Sequence, residues 1–289
     1  MLIRRIPVAL LAMGVLPGCK ADRPPADTPA AAPATPAPAP AAGGPITVTA
    51  TDFKLDMPAT IAAGAVTLRL VNQGKEIHQA QLVRLEDGKT LADFQKGMTE
   101  NGPPPPWVKF VGGPNGVAPG QEGSATVALS PGPYVALCII PGTDGIPHMM
   151  KGMIQQFEVT AGAGEMALPA ATDTIRLAEY SFEPTRPLTA GHHTILVENS
   201  GAQAHELVLL KLEPGKSVAD FGKWATTGGM QGPPPAMPVG GVGVVEHGAS
   251  IVFTTDLAPG EYGFICFVPD AKDGKMHLEH GMMRQFRVG

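Results

Sequence analysis

From residue 46 onward the chain repeats itself at an offset of 127–129 residues. Asn72-Gln-Gly-Lys-Glu-Ile-His78 answers Asn199-Ser-Gly-Ala-Gln-Ala-His205, and Leu82-Val-Arg-Leu85 answers Leu209-Leu-Lys-Leu212. Pro131-Gly-x-Tyr134-x-x-x-Cys138 answers Pro259-Gly-x-Tyr262-x-x-x-Cys266, and His148-x4-Met153 answers His277-x4-Met282. Solenoid repeats run about 20–50 residues, so a period this long is a domain duplication. Two domains are expected, 46–161 and 172–289, joined by an Ala- and Gly-rich linker over 162–171. The length of 289 residues agrees with two domains of ordinary size.

Each unit reads as β structure. Ile46, Val48 and Ala50 alternate with Thr47, Thr49 and Thr51, and Val66, Leu68 and Leu70 with Thr67 and Arg69. In the second copy Ile175 and Leu177 flank Arg176, and Ile195 and Val197 alternate with Thr194 and Glu198. Period two with one apolar face predicts half-buried strands, and the Gly and Pro turns between them predict antiparallel sandwiches. One short helix per unit is expected. Thr90-Leu-Ala-Asp93 and Ser217-Val-Ala-Asp220 have the form of capping boxes, with a hydroxyl at the N-cap and a carboxylate three residues on. Leu91, Phe94 and Met98, like Val218, Phe221 and Trp224, then share one face and pack inward. The Pro clusters at 103–106 and 233–235 read as loops, since Pro offers no ladder donor. His192-His193 reads as part of a solvated turn, and His247 receives no role.

Composition excludes several functions. Lys and Arg number 21 against 26 Asp and Glu, a formal charge of −5, which argues against a nucleic-acid partner. The three cysteines, Cys19, Cys138 and Cys266, do not make a disulfide framework. Phosphate-binding Gly loops, nucleophile elbows and His-Glu-x-x-His zinc motifs are missing from the sequence.

Gly132-Pro-Tyr-Val-Ala-Leu-Cys138 and Gly260-Glu-Tyr-Gly-Phe-Ile-Cys266, each followed by His-x4-Met and a final strand, resemble the cupredoxins, the blue-copper family. The resemblance covers both repeats. It implies an all-β fold of two tandem cupredoxin-like Greek-key sandwiches, each with a short helix insertion. It also implies copper as cofactor, one ion per domain at most. The ligands implied are His78, Cys138, His148 and Met153 in the first unit, and His205, Cys266, His277 and Met282 in the second. Such a set makes chemical sense: two imidazoles and a thiolate form a trigonal copper site, and a thioether sits weakly on the axis.

One departure from the family matters. Two to four residues usually separate the Cys from the second His; here nine separate Cys138 from His148, and ten separate Cys266 from His277. The inserts hold turn formers, so they either fold out and return the His or carry it away. Three functions therefore stand at this level. The first is an envelope copper protein carrying single electrons or holding copper. The second is a Cu(I) trafficking protein built on Met149, Met150, Met153, Met276, Met282, Met283 and the neighbouring histidines. The third is a metal-free sandwich that binds a protein partner. The sequence has no His-x-His pair, from which multicopper oxidases and copper nitrite reductases build extra centres, so no enzymatic activity is expected.

Residues 1–19 read as a secretory signal: Arg4 and Arg5, then an apolar stretch from Ile6 to Leu16. Leu16-Pro-Gly-Cys19 resembles the lipobox of bacterial lipoproteins, which makes Cys19 the lipid-attachment residue. Residues 20–45, mostly Ala and Pro, have little to bury and read as a disordered linker. The expectation is a lipid-anchored, extracytoplasmic protein of the bacterial envelope. Its partner there would be a redox or copper-exchange protein.

Overall fold

The computed structural model describes residues 44–289, apart from 87, 99–103, 163 and 228–229. The signal segment, Cys19 and almost all of the Ala/Pro linker lie outside the described residues.

In the first repeat the strands are β1 (Ile46–Thr51), β2 (Lys54–Asp56), β3 (Thr60–Ala62), β4 (Gly64–Asn72), β5 (Gln81–Leu85), β6 (Val108–Gly112), β7 (Glu122–Leu129), β8 (Gly132–Leu137) and β9 (Ile154–Thr160), with helix α1 (Leu91–Gly97) between β5 and β6. In the second they are β10 (Asp173–Ala178), β11 (Ser181–Pro184), β12 (Gly191–Asn199), β13 (His205–Leu212), β14 (Ala236–Val245), β15 (Ser250–Leu257), β16 (Gly260–Ile265) and β17 (Met283–Val288), with helix α2 (Val218–Thr226) between β13 and β14. The architecture is all-β, two sandwich halves in tandem with one short helix each.

Alternation delivers the core. Val48, Ala50, Leu68 and Leu70 of the first half and Ile175, Leu177, Ile195 and Val197 of the second are fully buried, in one cluster. Both helices start where their capping boxes place them: Thr90 and Ser217 accept from the Asp93 and Asp220 amides, and each Asp returns a bond to its cap. Phe94 and Phe221 plug satellite clusters against the outer sheet face. The repeated Pro-Gly-x-Tyr also finds its reason. Tyr134 and Tyr262 are buried, and each hydroxyl donates to the carbonyl four residues earlier, Ser130 and Ala258, at 3.0 Å.

The two halves share their sheets. One sheet runs β11-β10-β12-β15-β7-β4-β1-β2 and the other β17-β16-β13-β14-β6-β5-β8-β9-β3. The joins are self-complementary. In the first, Ala125 faces Phe253, its own counterpart 128 residues on, while Ser124 faces Thr254 and Thr126 faces Val252. In the second, Pro114 faces Val242, again its counterpart, with Val111 opposite Val245 and Val117 opposite Val239. The same segment of each copy thus pairs antiparallel with itself, as across the two-fold of an isologous dimer.

Two expectations need correcting. His192 and His193 lie in β12, and His193 is not solvated. Its Nδ1 bonds Asp173 at 2.7 Å and its Nε2 bonds the Thr189 carbonyl at 2.8 Å, because its register points it inward and burial demands two partners.

Candidate metal centre

Each half closes around two histidines and a cysteine. In the first, His78 Nδ1 lies 3.1 Å from His148 Nδ1, and Cys138 Sγ lies 3.5 Å from His148 Nδ1. In the second, His205 Nδ1 lies 2.9 Å from His277 Nδ1, and Cys266 Sγ lies 3.5 Å from His277 Nδ1. Within each trio one donor atom per residue falls within 4.8 Å of the others, and all six residues are 0% exposed. Three donors about 2.0–2.3 Å from a shared ion stand roughly 3.5 Å apart, so the donor sets fit a metal of that bond length.

The first histidine is held by its Asn-x-Gly turn. Asn72 Nδ2 donates to the carbonyls of Glu76 and Val117, and Asn199 Nδ2 to those of Gln203 and Val245. Val117 and Val245 are the strand partners of His78 and His205, so one amide clamps the turn to the strand opposite the histidine. Glycine is required inside this turn: a Cβ on Gly74 or Gly201 would come within 2.5 Å of the adjacent imidazole Nε2.

The long inserts return their histidines. His148 N–H donates to the Ile140 carbonyl at 3.0 Å, and His277 N–H to that of Val268 at 2.8 Å. Bridges between Pro141 and Pro147, and between Pro269 and Met276, close the base of each excursion. With the loops 141–147 and 269–276 pinched off, only Ile139 and Ile140, or Phe267 and Val268, separate thiol from imidazole along the ring around the centre. The short spacing is thereby restored.

Met153 and Met282 are fully buried in the cluster that holds both cysteines. The Met153 amide donates to the His148 carbonyl and its own carbonyl accepts from Cys138 N–H. Gly152 and Gly281, both left-handed, turn the chain out of the short 3-10 segments His148–Lys151 and His277–His280 into these positions. The other methionines disperse: Met149, Met276 and Met283 pack in the helix-side clusters, and Met150 is exposed.

The surroundings differ between halves. In the first, the outer nitrogens are bonded to carboxylates: His78 Nε2 to Asp52 Oδ1 and His148 Nε2 to Glu76 Oε2, both at 2.9 Å. In the second, Glu179 replaces Asp52. Its oxygens take the Ala202 and Gln203 amides, and Oε1 stays 3.7 Å from His205 Nε2. Gln203 replaces Glu76 but bonds Asp270 and the Ala271 amide of the excursion. His205 Nε2 and His277 Nε2 are left buried without a hydrogen-bond partner. Burial pushes the pKa values of His78, His205 and His277 down, and that of His205, beside His277, to about 4.

Sequence reasoning passed over these second-layer groups. Glu76 lies inside the quoted motif, and Asp52 and Glu179 sit at matched positions, so their signal was positional. Glu206 had none until the fold was in hand. Adjoining His205, it accepts from Phe267 N–H and Asn115 Nδ2, and burial raises its pKa toward the neutral acid. Gln79 holds the matching place in the first half. Asp270, Asp273 and His280 also cluster. Asp270's oxygens are taken by Tyr180, Gln203 and the amides of Lys272 and Asp273, so it fastens the excursion.

Burial pushes the Cys138 thiol up to about 12 and that of Cys266 higher still. The thiolate is the reactive form. In the metal-free chain neither thiol should be alkylated at pH 8 until denaturant is added, as peptide mapping would show. Native labelling at the denatured rate would contradict this burial.

No family model matches the sequence, and no curated protein matches it. Among solved structures the chain is similar to dithionite-reduced auracyanin from the photosynthetic bacterium Roseiflexus castenholzii, at 22% identity over 40% of this chain and 94% of that one, with a TM-score of 0.28. It is similar to a multicopper oxidase at 13% identity over 85% of this chain and 88% of that one, TM-score 0.24. A copper-containing nitrite reductase from Thermus scotoductus matches at 12% identity over 85% of this chain and 61% of that one, TM-score 0.24. Among the described residues no helix is long and apolar enough to cross a membrane.

Proposed function

We propose that the chain is a copper protein of the bacterial envelope that carries single electrons or holds copper, without enzymatic activity of its own. One observation carries the reading: in both halves two imidazole nitrogens and a thiol sulfur converge, on residues that are 0% exposed. His78, Cys138 and His148 would hold one ion and His205, Cys266 and His277 another, with Met153 and Met282 as weak axial donors. Copper in such a set supplies a one-electron couple, because thiolate favours Cu(I) and imidazole tolerates Cu(II). The pinned turns and closed excursions keep the donors in place and exclude water. The partner is a redox or copper-exchange protein, and the anchor is a lipid on Cys19.

Titration with Cu(II) tests this. Up to two equivalents should bind with intense visible thiolate-to-copper absorption. Cys266→Ser should remove the contribution of the second half and Cys138→Ser that of the first. Uptake without colour would replace the reading by Cu(I) trafficking. No uptake would leave a metal-free module that binds a protein.

A further inference from the structure

Resting on the copper reading, we propose that the two centres are unequal and ordered: the centre of His78, Cys138 and His148 has the lower reduction potential, and electrons pass from it to the centre of His205, Cys266 and His277. The difference lies one layer out from the donors. An imidazole whose outer N–H donates to a carboxylate is a more basic ligand, and a more basic ligand favours the higher-charged ion. Both histidines of the first half have this bond, to Asp52 and Glu76. Neither histidine of the second half does. The difference is local: Asp52 and Glu179 accept the matching pair of backbone amides, but Glu179 Oε1 stays 3.7 Å from His205 Nε2, and Gln203 is drawn away to Asp270. Weaker donors favour Cu(I), so the second centre holds an electron more tightly.

A buried route joins the two. His78 and Val117 exchange backbone hydrogen bonds at 3.3 and 3.0 Å. Asn115, two residues before Val117, donates its side-chain amide across the seam to Glu206 Oε2 at 3.1 Å and to the Leu207 carbonyl at 3.3 Å. Glu206 follows His205 in sequence, and its other oxygen accepts from the amide next to Cys266 at 3.0 Å. Transfer along this route oxidises Cu(I) in the first half and reduces Cu(II) in the second by one electron, with no bond to the protein made or broken.

Spectroscopic redox titration of single-centre proteins tests the order. Cys266→Ser reports the first centre and Cys138→Ser the second. The first should titrate lower by at least tenfold in equilibrium constant, about 59 mV for one electron. Glu76→Gln, nearly isosteric but uncharged, should lift the first centre by a similar step and leave the second in place. The same substitution in the full chain should move only the lower of two waves, which keeps the test valid if a Ser variant fails to fold. Equal or inverted potentials, or a first centre indifferent to Glu76→Gln, would overturn the proposal while the copper colour survives. Absence of that colour in both centres would instead remove the copper reading itself.

Discussion

Taken from pH 7 to pH 4, the metal-free chain should lose stability, up to about 3 kcal/mol at His205, and copper should protect it. His205 sets the sign. Its folded pKa, about 4, lies below the ordinary value of 6.5 because burial beside His277 penalises the imidazolium. The unfolded chain therefore binds more protons between those values, and stability falls with pH across that window. The contribution is intact above pH 6.5 and gone near pH 4, worth about 3 kcal/mol at most for this one group. His78 and His277 are lowered by burial too and act in the same direction. Asp173, held near 2 by Arg186, His193 and Thr172 against burial, is lost only at more acid pH, so the two effects separate. A metal on the imidazoles competes with these protons, so the copper-loaded protein should keep its urea midpoint to lower pH. Urea melts at pH 7.0, 5.5 and 4.5, with and without copper, are the measurement. A metal-free midpoint flat across that range would mean that the histidines are not held neutral.

The limits of the sequence are as instructive as its successes. Strands β1, β4, β10 and β12 were legible because one apolar face repeats every second residue, and both helices because their capping boxes are local. That two histidines and a cysteine of each half would gather was legible because each motif occurs twice in the same order. What stayed hidden depends on contacts far apart in the chain. Nine or ten intervening residues say nothing of whether Ile140 and Val268 will accept from the returning histidines. The bond from Glu76 to His148 spans 72 residues, and its absence at Gln203 depends on where Asp270 ends up. His193 was misplaced because a His-His pair after Gly191 looks polar, whereas register turned one ring toward Asp173. The sharing of both sheets has no signature in either repeat alone, since each copy supplies the same segment to the join.

That join leads to the second large effect: Gly241→Ala, and its counterpart Gly113→Ala, should destabilise the chain by on the order of 4 kcal/mol, combining backbone strain with overpacking. Both glycines have left-handed φ, +109° and +121°. A Cβ on Gly241 would stand 2.1 Å from the Leu207 carbonyl oxygen, and one on Gly113 2.2 Å from that of Ala80. Those oxygens belong to the chain beside each seam segment, so they cannot swing aside as a side-chain tip would. Gly241, paired with Val208, sits beside the point where β13 and β14 slip register. The Gly241 carbonyl accepts from Asn115 N–H, and the Gly113 carbonyl accepts from Gly243 N–H, so each glycine also carries a hydrogen bond between halves. Gly240 is the internal control. Its φ is +118°, yet a Cβ there meets nothing within 4 Å. Gly240→Ala should therefore show the strain alone, about 1–3 kcal/mol. Thermal or urea melts of the three variants separate the effects. If Gly241→Ala is no worse than Gly240→Ala, the approach at Leu207 is not what demands glycine. If it is much worse and also broadens the transition, the seam is what makes two copies of one sandwich unfold as a single unit.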